Sequence, residues 1–303
     1  MLRSMYSGIS GMQNMQTKLD TIGNNIANVN TFGFKKGRTT FKDMVSQQMA
    51  GATGPGQNLG GVNARQVGLG MQIASIDTIH TQGSLQNTGR ELDLGISGDG
   101  YFVVGPSPVT GVGEFSYTRA GNFYLDQEGY IVNSDGLYLM GVRPNGDASF
   151  QSVDDFDATE GALGRIRIPA DAQSFSVGAD GKVMFINNGG LQVAGQIGLA
   201  KFSNPEGLQK TGNNLYAASA NSGNIQGTNM TLNGFANLGA YISIPQLGAA
   251  GTGALVAGTL EMANVDLSEE FTEMIVAQRG FQANTRIITT SDEILQELVN
   301  LKR

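Results

Sequence analysis

From Val265 the chain reads VDLSEEFTEMIVAQRGFQANTRIITTSDEILQELVNLKR, a run with no proline and a single glycine. Apolar residues recur at Leu267, Phe271, Met274 and Phe281, with Gln278 in the expected slot before the last. The stripe continues through Ile287/Ile288, Ile294/Leu295, Leu298 and Leu301. This spacing predicts one α-helix over 266–303, roughly 36 residues and about 54 Å long at ~1.5 Å per residue. Asp266 followed by Glu269 has the form of a capping box, and Ser268 is an equal candidate for the N-cap. Glu269, Glu270 and Glu273 suit the positive end of the helix dipole, and Lys302 and Arg303 the negative end.

A helix of this length with a narrow apolar seam needs a partner, because water cannot bury the seam. The opposite end of the chain offers one. Leu2, Met5, Ile9, Met12, Leu19 and Ile26 alternate at three and four residues, with Gln16 and Gly23 at the remaining seam positions. Both terminal segments attach to the same intervening body, so one runs toward it and the other away. The expectation is therefore an α+β chain: a coiled-coil-like antiparallel pair of long terminal helices carrying a mainly-β central domain. The competing arrangement, in which each helix packs separately onto the body, stays open.

From about Met71 the pattern turns to period two. Leu92, Leu94 and Ile96 alternate, and Tyr101–Val104 is rich in β-formers. Asp126-Gln-Glu-Gly129, Asn133-Ser-Asp-Gly136 and Gly178-Ala-Asp-Gly181 punctuate short apolar runs as hairpin turns do. Further strands are expected at 165–168, 196–202 and 241–244. The predicted organisation is an N-terminal helix over 1–28, a junction segment over 29–70 and a mainly-β outer domain over 71–250. A small-residue return linker over 251–265 and the C-terminal helix over 266–303 complete it. Within the junction, Gly51–Gly61 reads as a mobile loop by its glycine and proline content.

Composition narrows the function classes. Charged residues make up 15% of the chain and the net charge is −7, so no continuous basic face is available to neutralise nucleic-acid phosphates. Lys35, Lys36, Arg38 and Lys42 form the one basic cluster and read as a solvated turn. Cysteine is absent, and there is one histidine, His80, so neither thiolate metal sites nor histidine-based catalysis has much to draw on. Gly95-Ile-Ser-Gly-Asp-Gly100 lacks nucleotide-loop spacing and leads into a strand, not a helix N-terminus. No cofactor, metal or catalytic group is expected, and the chain does not read as an enzyme. No run is long and apolar enough to span a bilayer, and the N-terminus lacks the features of a cleavable signal.

The first helix gives way to Gly23-Asn-Asn-Ile-Ala-Asn-Val-Asn-Thr-Phe-Gly-Phe34, where asparagine and glycine favour an exit from helix. The string NNIANVNTFGF resembles the N-terminal signature of bacterial flagellar rod and hook proteins, carried here by Asn25, Ala27, Asn28, Thr31, Gly33 and Phe34. Arg279–Asn284 and Thr290–Leu295 resemble the matching C-terminal pattern. Leu92–Phe102 and Tyr117–Phe123 resemble the family's β-domain motifs. Within the family the opening and ending look most like the short hook proteins of Gram-positive bacteria, with the distal rod protein as the alternative.

The resemblance implies a structural subunit that self-assembles into a helical tube, a flexible coupling between motor and filament. Its implied partners are copies of itself, the other axial proteins (distal rod, hook cap, hook–filament junction) and the flagellar type III export apparatus. It also implies an extracellular place after export without a cleaved signal. The expected assembly seams are Leu2, Met5, Ile9, Met12, Leu19 and Ile26 on one helix. On the other they are Leu267, Phe271, Met274, Phe281, Ile288, Leu295 and Leu298. An extracellular β-rich adhesive protein is the remote alternative, for which two terminal seams would be superfluous.

Overall fold

The structure, a computed structural model, describes residues 2–55, 60–106, 115–143, 151–152, 162–188, 190–223 and 252–301. The chain divides into two compact units. One comprises 1–29, 36–79 and 265–303; the other comprises 30–35 and 80–264. The expected strand at 241–244, residues 56–59 of the expected loop at 51–61, and Lys302 and Arg303 lie outside the described residues.

The first unit contains α1 (Leu2–Ala27) and α2 (Leu267–Leu301). Asp266 caps α2, its Oδ1 accepting from Ser268 N at 2.8 Å and from Glu269 N at 3.4 Å. The Glu269 side chain does not close the reciprocal half of a capping box; it pairs with Lys36 Nζ at 2.7 Å. At the end of α1, Asn28 Nδ2 donates to Asn24 O at 2.9 Å, the side-chain competition expected where a helix exits at asparagine. Contacts run in opposite order along the two helices: Ser4 with Ser291, Met12 with Thr285, Lys18 with Glu273 and Asn25 with Glu270. They are therefore antiparallel.

The surface between them corrects the expected coiled-coil-like pair. A Cβ on Gly11 would lie 2.7 Å from Asn284 Nδ2, one on Gly8 3.3 Å from Ile288 Cγ1, and one on Gly280 3.3 Å from the Met15 sulfur. The buried residues of α2 are Glu270, Ala277 and Ser291. Small and polar side chains thus let the backbones approach, where a coiled coil would interlock bulky apolar knobs. Phe271 is 50% exposed and Leu298 48%. Of the expected α2 seam, Met274, Phe281, Ile288 and Leu295 are half-buried, with Ile288 against Gly8, while apolar periodicity gives no sign of the small and polar residues that also line the contact.

The α+β class is corrected with it. Among the described residues there are two α-helices, and β structure runs through both units. In the first unit β1 (Gly37–Asp43) pairs antiparallel with β4 (Met71–Thr78), from Gly37 opposite Thr78 to Asp43 opposite Met71. Between them β2 (Ser46–Ala50) pairs with β3 (Arg65–Gly68), every residue of both being exposed. The molecule is a β-rich body with a helix at each end of the chain.

The second unit is built on an antiparallel sheet whose main path runs through the strands at 174–177, 182–187, 190–197, 138–143, 101–105, 116–118, 215–217 and 209–212. The three glycine turns lie where the sequence places them, with Gly129, Gly136 and Gly181 at φ of 84°, 78° and 79°. Leu94, Phe102, Phe123, Leu139, Ile197 and Leu199 are fully buried in one apolar cluster, each worth ~1.5–3 kcal/mol relative to exposure. The returning chain is zipped into this unit: Ala254–Ala257 pairs with Leu94–Ser97, and Thr259–Glu261 with Leu85–Asn87.

Candidate functional site

Within the second unit, the loop that follows the asparagine-rich exit from α1 meets two distant segments. Gly33 sits at φ 69°, and a Cβ there would come within 2.6 Å of both Ala120 N and Arg119 C. Only glycine fits so close to another backbone in a left-handed conformation. This approach delivers Phe34 and Lys35 into the interior. Gly33 N donates to Glu261 O at 2.8 Å, and Asn264 N to Phe34 O at 3.4 Å, so loop and returning strand are held along their backbones.

Lys35 and Glu261 form the centre. The Lys35 ammonium lies 2.6 Å from Glu261 Oε1, neither side chain being exposed, and also donates to Thr81 O at 2.8 Å. Glu261 Oε1 accepts from Gly83 N at 2.9 Å, and its Oε2 from Arg119 Nη1 at 3.1 Å. The second Arg119 terminal nitrogen donates to Gly98 O at 2.8 Å. One carboxylate therefore serves two buried cations, and each charge is hydrogen-bonded as burial requires. Burial pushes the Lys35 ammonium below the ordinary lysine range, against the pull of Glu261. Lys210 Nζ closes the outer side, donating to Lys35 O at 3.0 Å and lying 5.0 Å over the Phe34 ring.

The solvated turn expected at Lys35, Lys36, Arg38 and Lys42 is corrected at its first member, which is the most deeply buried charge described. No local pattern announces this, because the partner carboxylate is 226 residues away. The usable signal is that Phe34-Lys35 and Tyr117-Thr-Arg119 each fall in or beside a family-like string; Glu261 carries no such mark.

Beside this network, His80 Nδ1 is 2.6 Å from Tyr101 Oη, within an edge-to-face cluster that includes Tyr216 and Phe202. Burial, helped by the nearby Lys35, Lys210 and Arg119 charges, lowers the His80 pKa to about 4. Burial raises those of Tyr101 and Tyr216, so both remain phenols. Among the described residues this imidazole contacts Tyr101 and Tyr216, with no nucleophile or carboxylate hydrogen-bonded to it.

In the first unit a second polar cluster fixes the start of α2. Asn25 is buried and exchanges two hydrogen bonds with the backbone of Gly37, both at 2.9 Å. Its Nδ2 also donates to Glu270 Oε2 at 3.1 Å. Burial raises the Glu270 pKa, opposed by the Asn25 bond and by Lys36 at 4.0 Å. Lys18 pairs with Glu273 at 3.1 Å. Of the other signature residues, Ala27 is exposed, Asn28 and Thr31 are half-buried, and Gly33 and Phe34 are buried.

The seam residues fall into two groups. Met5, Ile9, Met12, Leu19, Ile26, Met274, Phe281, Ile288 and Leu295 are half-buried, and Leu267, Phe271 and Leu298 are exposed. Also exposed are Ile275, Val276, Ile287, Ile294, Val299 and Leu301 of α2 and Tyr6 of α1. Val276, Ile287, Ile294, Leu298 and Leu301 share one side of α2 by their helical spacing. They leave aliphatic surface uncovered along that side of α2 within the single chain.

Comparison with known proteins matches residues 5–35 to the family described as flagella basal body rod protein. Residues 95–185 match the D1 domain of the flagellar hook protein FlgE/F/G family, and 256–301 the C-terminal region of basal body rod FlgEFG proteins. The flagellar basal-body rod protein FlgG of Bacillus subtilis is 55% identical over 304 positions, covering the whole of both chains. The chain belongs to the flagellar rod/hook family. FlgG of Borreliella burgdorferi is 34% identical over 304 positions, again across the whole of both chains. The flagellar hook protein FlgE of the same organism is 32% identical over 464 positions, spanning the whole of both. Membership makes this chain a structural component of the flagellar axis. The family matches fall on the segments that build the buried network: Lys35 lies in the first, Arg119 in the second and Glu261 in the third.

Proposed function

We propose that this chain is the distal-rod subunit of the flagellar basal body, a segment of the drive shaft, in place of the hook subunit that its opening and closing residues suggested. The observation that carries the reading is the even, full-length correspondence to a rod protein at 55% identity over 304 positions. The hook relative at 32% needs 464 positions to align with these 303 residues, so a hook subunit of that kind carries extra chain that this one lacks. The subunit polymerises with copies of itself and joins other axial components. The contacts that build the tube are made by the seam residues and by the uncovered side of α2, where a neighbouring copy buries Val276, Ile287, Ile294, Leu298 and Leu301. The exposed β2–β3 ribbon, with Val45 just before it, offers Val45, Met49 and Val67 as a second contact surface.

A replacement experiment tests this. The chain is expressed in Bacillus subtilis lacking its own FlgG, and separately in a strain lacking its hook protein. Restored motility in the first strain alone supports a rod subunit. Rescue of the second strain alone would return the chain to the hook.

A further inference from the structure

Two buried nitrogen atoms are left over by the network around Glu261. His80 engages Tyr101 through Nδ1, while its Nε2 is buried and has no hydrogen-bond partner among the described residues. Arg119 commits both terminal nitrogens to Glu261 and to Gly98 O, while its Nε is buried and has no hydrogen-bond partner among the described residues. Buried polar groups left unpaired are uncommon and call for an occupant. Here the two residues line the same cavity of about 230 Å³, together with Asp99, Tyr101, Lys201 and Ser203.

The hydrogen-bond pattern gives the sign of that occupant. Tyr101 Oη and His80 Nδ1 lie 2.6 Å apart; when the phenol, which stays protonated, donates to Nδ1, the hydrogen of the neutral imidazole sits on Nε2. Arg119 Nε always carries a hydrogen. In that tautomer both unpaired atoms are donors, and they want an acceptor. The local potential agrees, since Lys35, Lys210 and Arg119 together disfavour a further positive charge on His80. The one carboxylate in the lining, Asp99, is 78% exposed and 3.9 Å from Lys201 Nζ, so water screens it. Arg119, by contrast, is 4% exposed.

We propose that this cavity binds a small oxyanion, a carboxylate or phosphate group, held by His80 Nε2–H and Arg119 Nε–H with Lys201 at its edge. The group can arrive as a free ion or as an acidic side chain of a neighbouring copy. The chemistry is the same in both.

His80 is the only histidine in the chain, so its imidazole reports on the cavity without ambiguity. The full chain is labelled with ¹⁵N, and its imidazole resonances are followed at constant ionic strength while acetate and then phosphate are added to the dilute protein. A saturable shift of Nε2 is expected, with the apparent dissociation constant rising about fivefold in Lys201→Gln, roughly one charge-assisted contact at a part-exposed site. Lys182→Gln, outside the cavity, should titrate as the parent does. A second arm records the same resonance by solid-state spectroscopy in polymer assembled without added oxyanion. A shift there, with none in the titration, assigns the acceptor to a neighbour's carboxylate; only this arm rests on the axial-subunit reading. The absence of a saturable shift in both arms overturns the proposal, leaving water as the occupant. Equal titration of the Lys201→Gln and Lys182→Gln variants overturns it also, because the ion would then bind elsewhere.

Discussion

Lys35 and Glu261 meet 2.6 Å apart with no exposure on either side chain, although 226 residues separate them in sequence. One comes from the loop that leaves the first helix, the other from the strand that leads back toward the last. Arg119, from the middle of the chain, completes a buried arrangement of two cations around one carboxylate. The three members are consequently unequal.

Removing Glu261 leaves two buried cations facing each other, and Arg119 cannot shed its proton. Glu261→Gln should destabilise the β unit by ~3–5 kcal/mol, the usual cost of breaking a buried pair. Lys35→Met leaves the neutral Arg119–Glu261 pair intact and should cost less than half of that. Denaturant unfolding followed on the β signal measures both. A larger loss in Lys35→Met would contradict the shared-carboxylate account.

Gly33 and Gly23 make opposite cases of one substitution. At Gly33, φ is 69° and a Cβ would press on the Arg119–Ala120 backbone, so Gly33→Ala should destabilise by ~1–3 kcal/mol. Gly23 lies within α1 with open space around it, and Gly23→Ala should stabilise the helix by about 0.5–1 kcal/mol. Thermal melts of the two variants read the opposite signs directly.

His80 gives the β unit an acid-side slope. Its pKa is about 4 in the folded chain and 6.5 in an unfolded one, so below 6.5 the unfolded state takes up the proton first. The stability it contributes is full above pH 6.5 and is lost as pH falls to about 4, after which this group adds no further slope. Folding free energy measured over that range, compared with His80→Gln, should show the difference confined to it. Direct titration of the single imidazole should find its midpoint well below 6.5.

The uncovered side of α2 separates folding from assembly. Ile294→Asp and Leu298→Asp replace side chains 48% exposed in the single chain, so monomer stability should move by no more than about 0.5 kcal/mol. In a polymer the same carboxylates would be buried without partners, and assembly should fail. Phe271→Ala should behave likewise, since Phe271 is half exposed. Sedimentation of polymer, with circular dichroism of the monomer, distinguishes the two effects.

The legible features in this sequence are those whose causes are local. Thirty-five residues without proline behind a capping Asp266 specify α2, and glycine at fixed turn positions specifies the hairpins at 126–129, 133–136 and 178–181. What stayed hidden depends on partners remote in sequence. Lys35 looks like any surface lysine until Glu261 and Arg119 are placed beside it. Periodicity marks the apolar residues, whereas close approach at Gly8, Gly11 and Gly280 also needs small ones, which carry no periodic signal. Part of the apolar stripe, Leu267, Phe271 and Leu298, is exposed in the single chain.

The central claim is that this chain is a distal-rod subunit, and position in the cell tests it most directly. An epitope-tagged chain that still supports swimming is labelled with gold on isolated hook–basal bodies and imaged by electron microscopy. The account predicts label on the straight segment between the membrane-embedded base and the hook, with the curved segment bare. Label along the curved segment outside the envelope would contradict it.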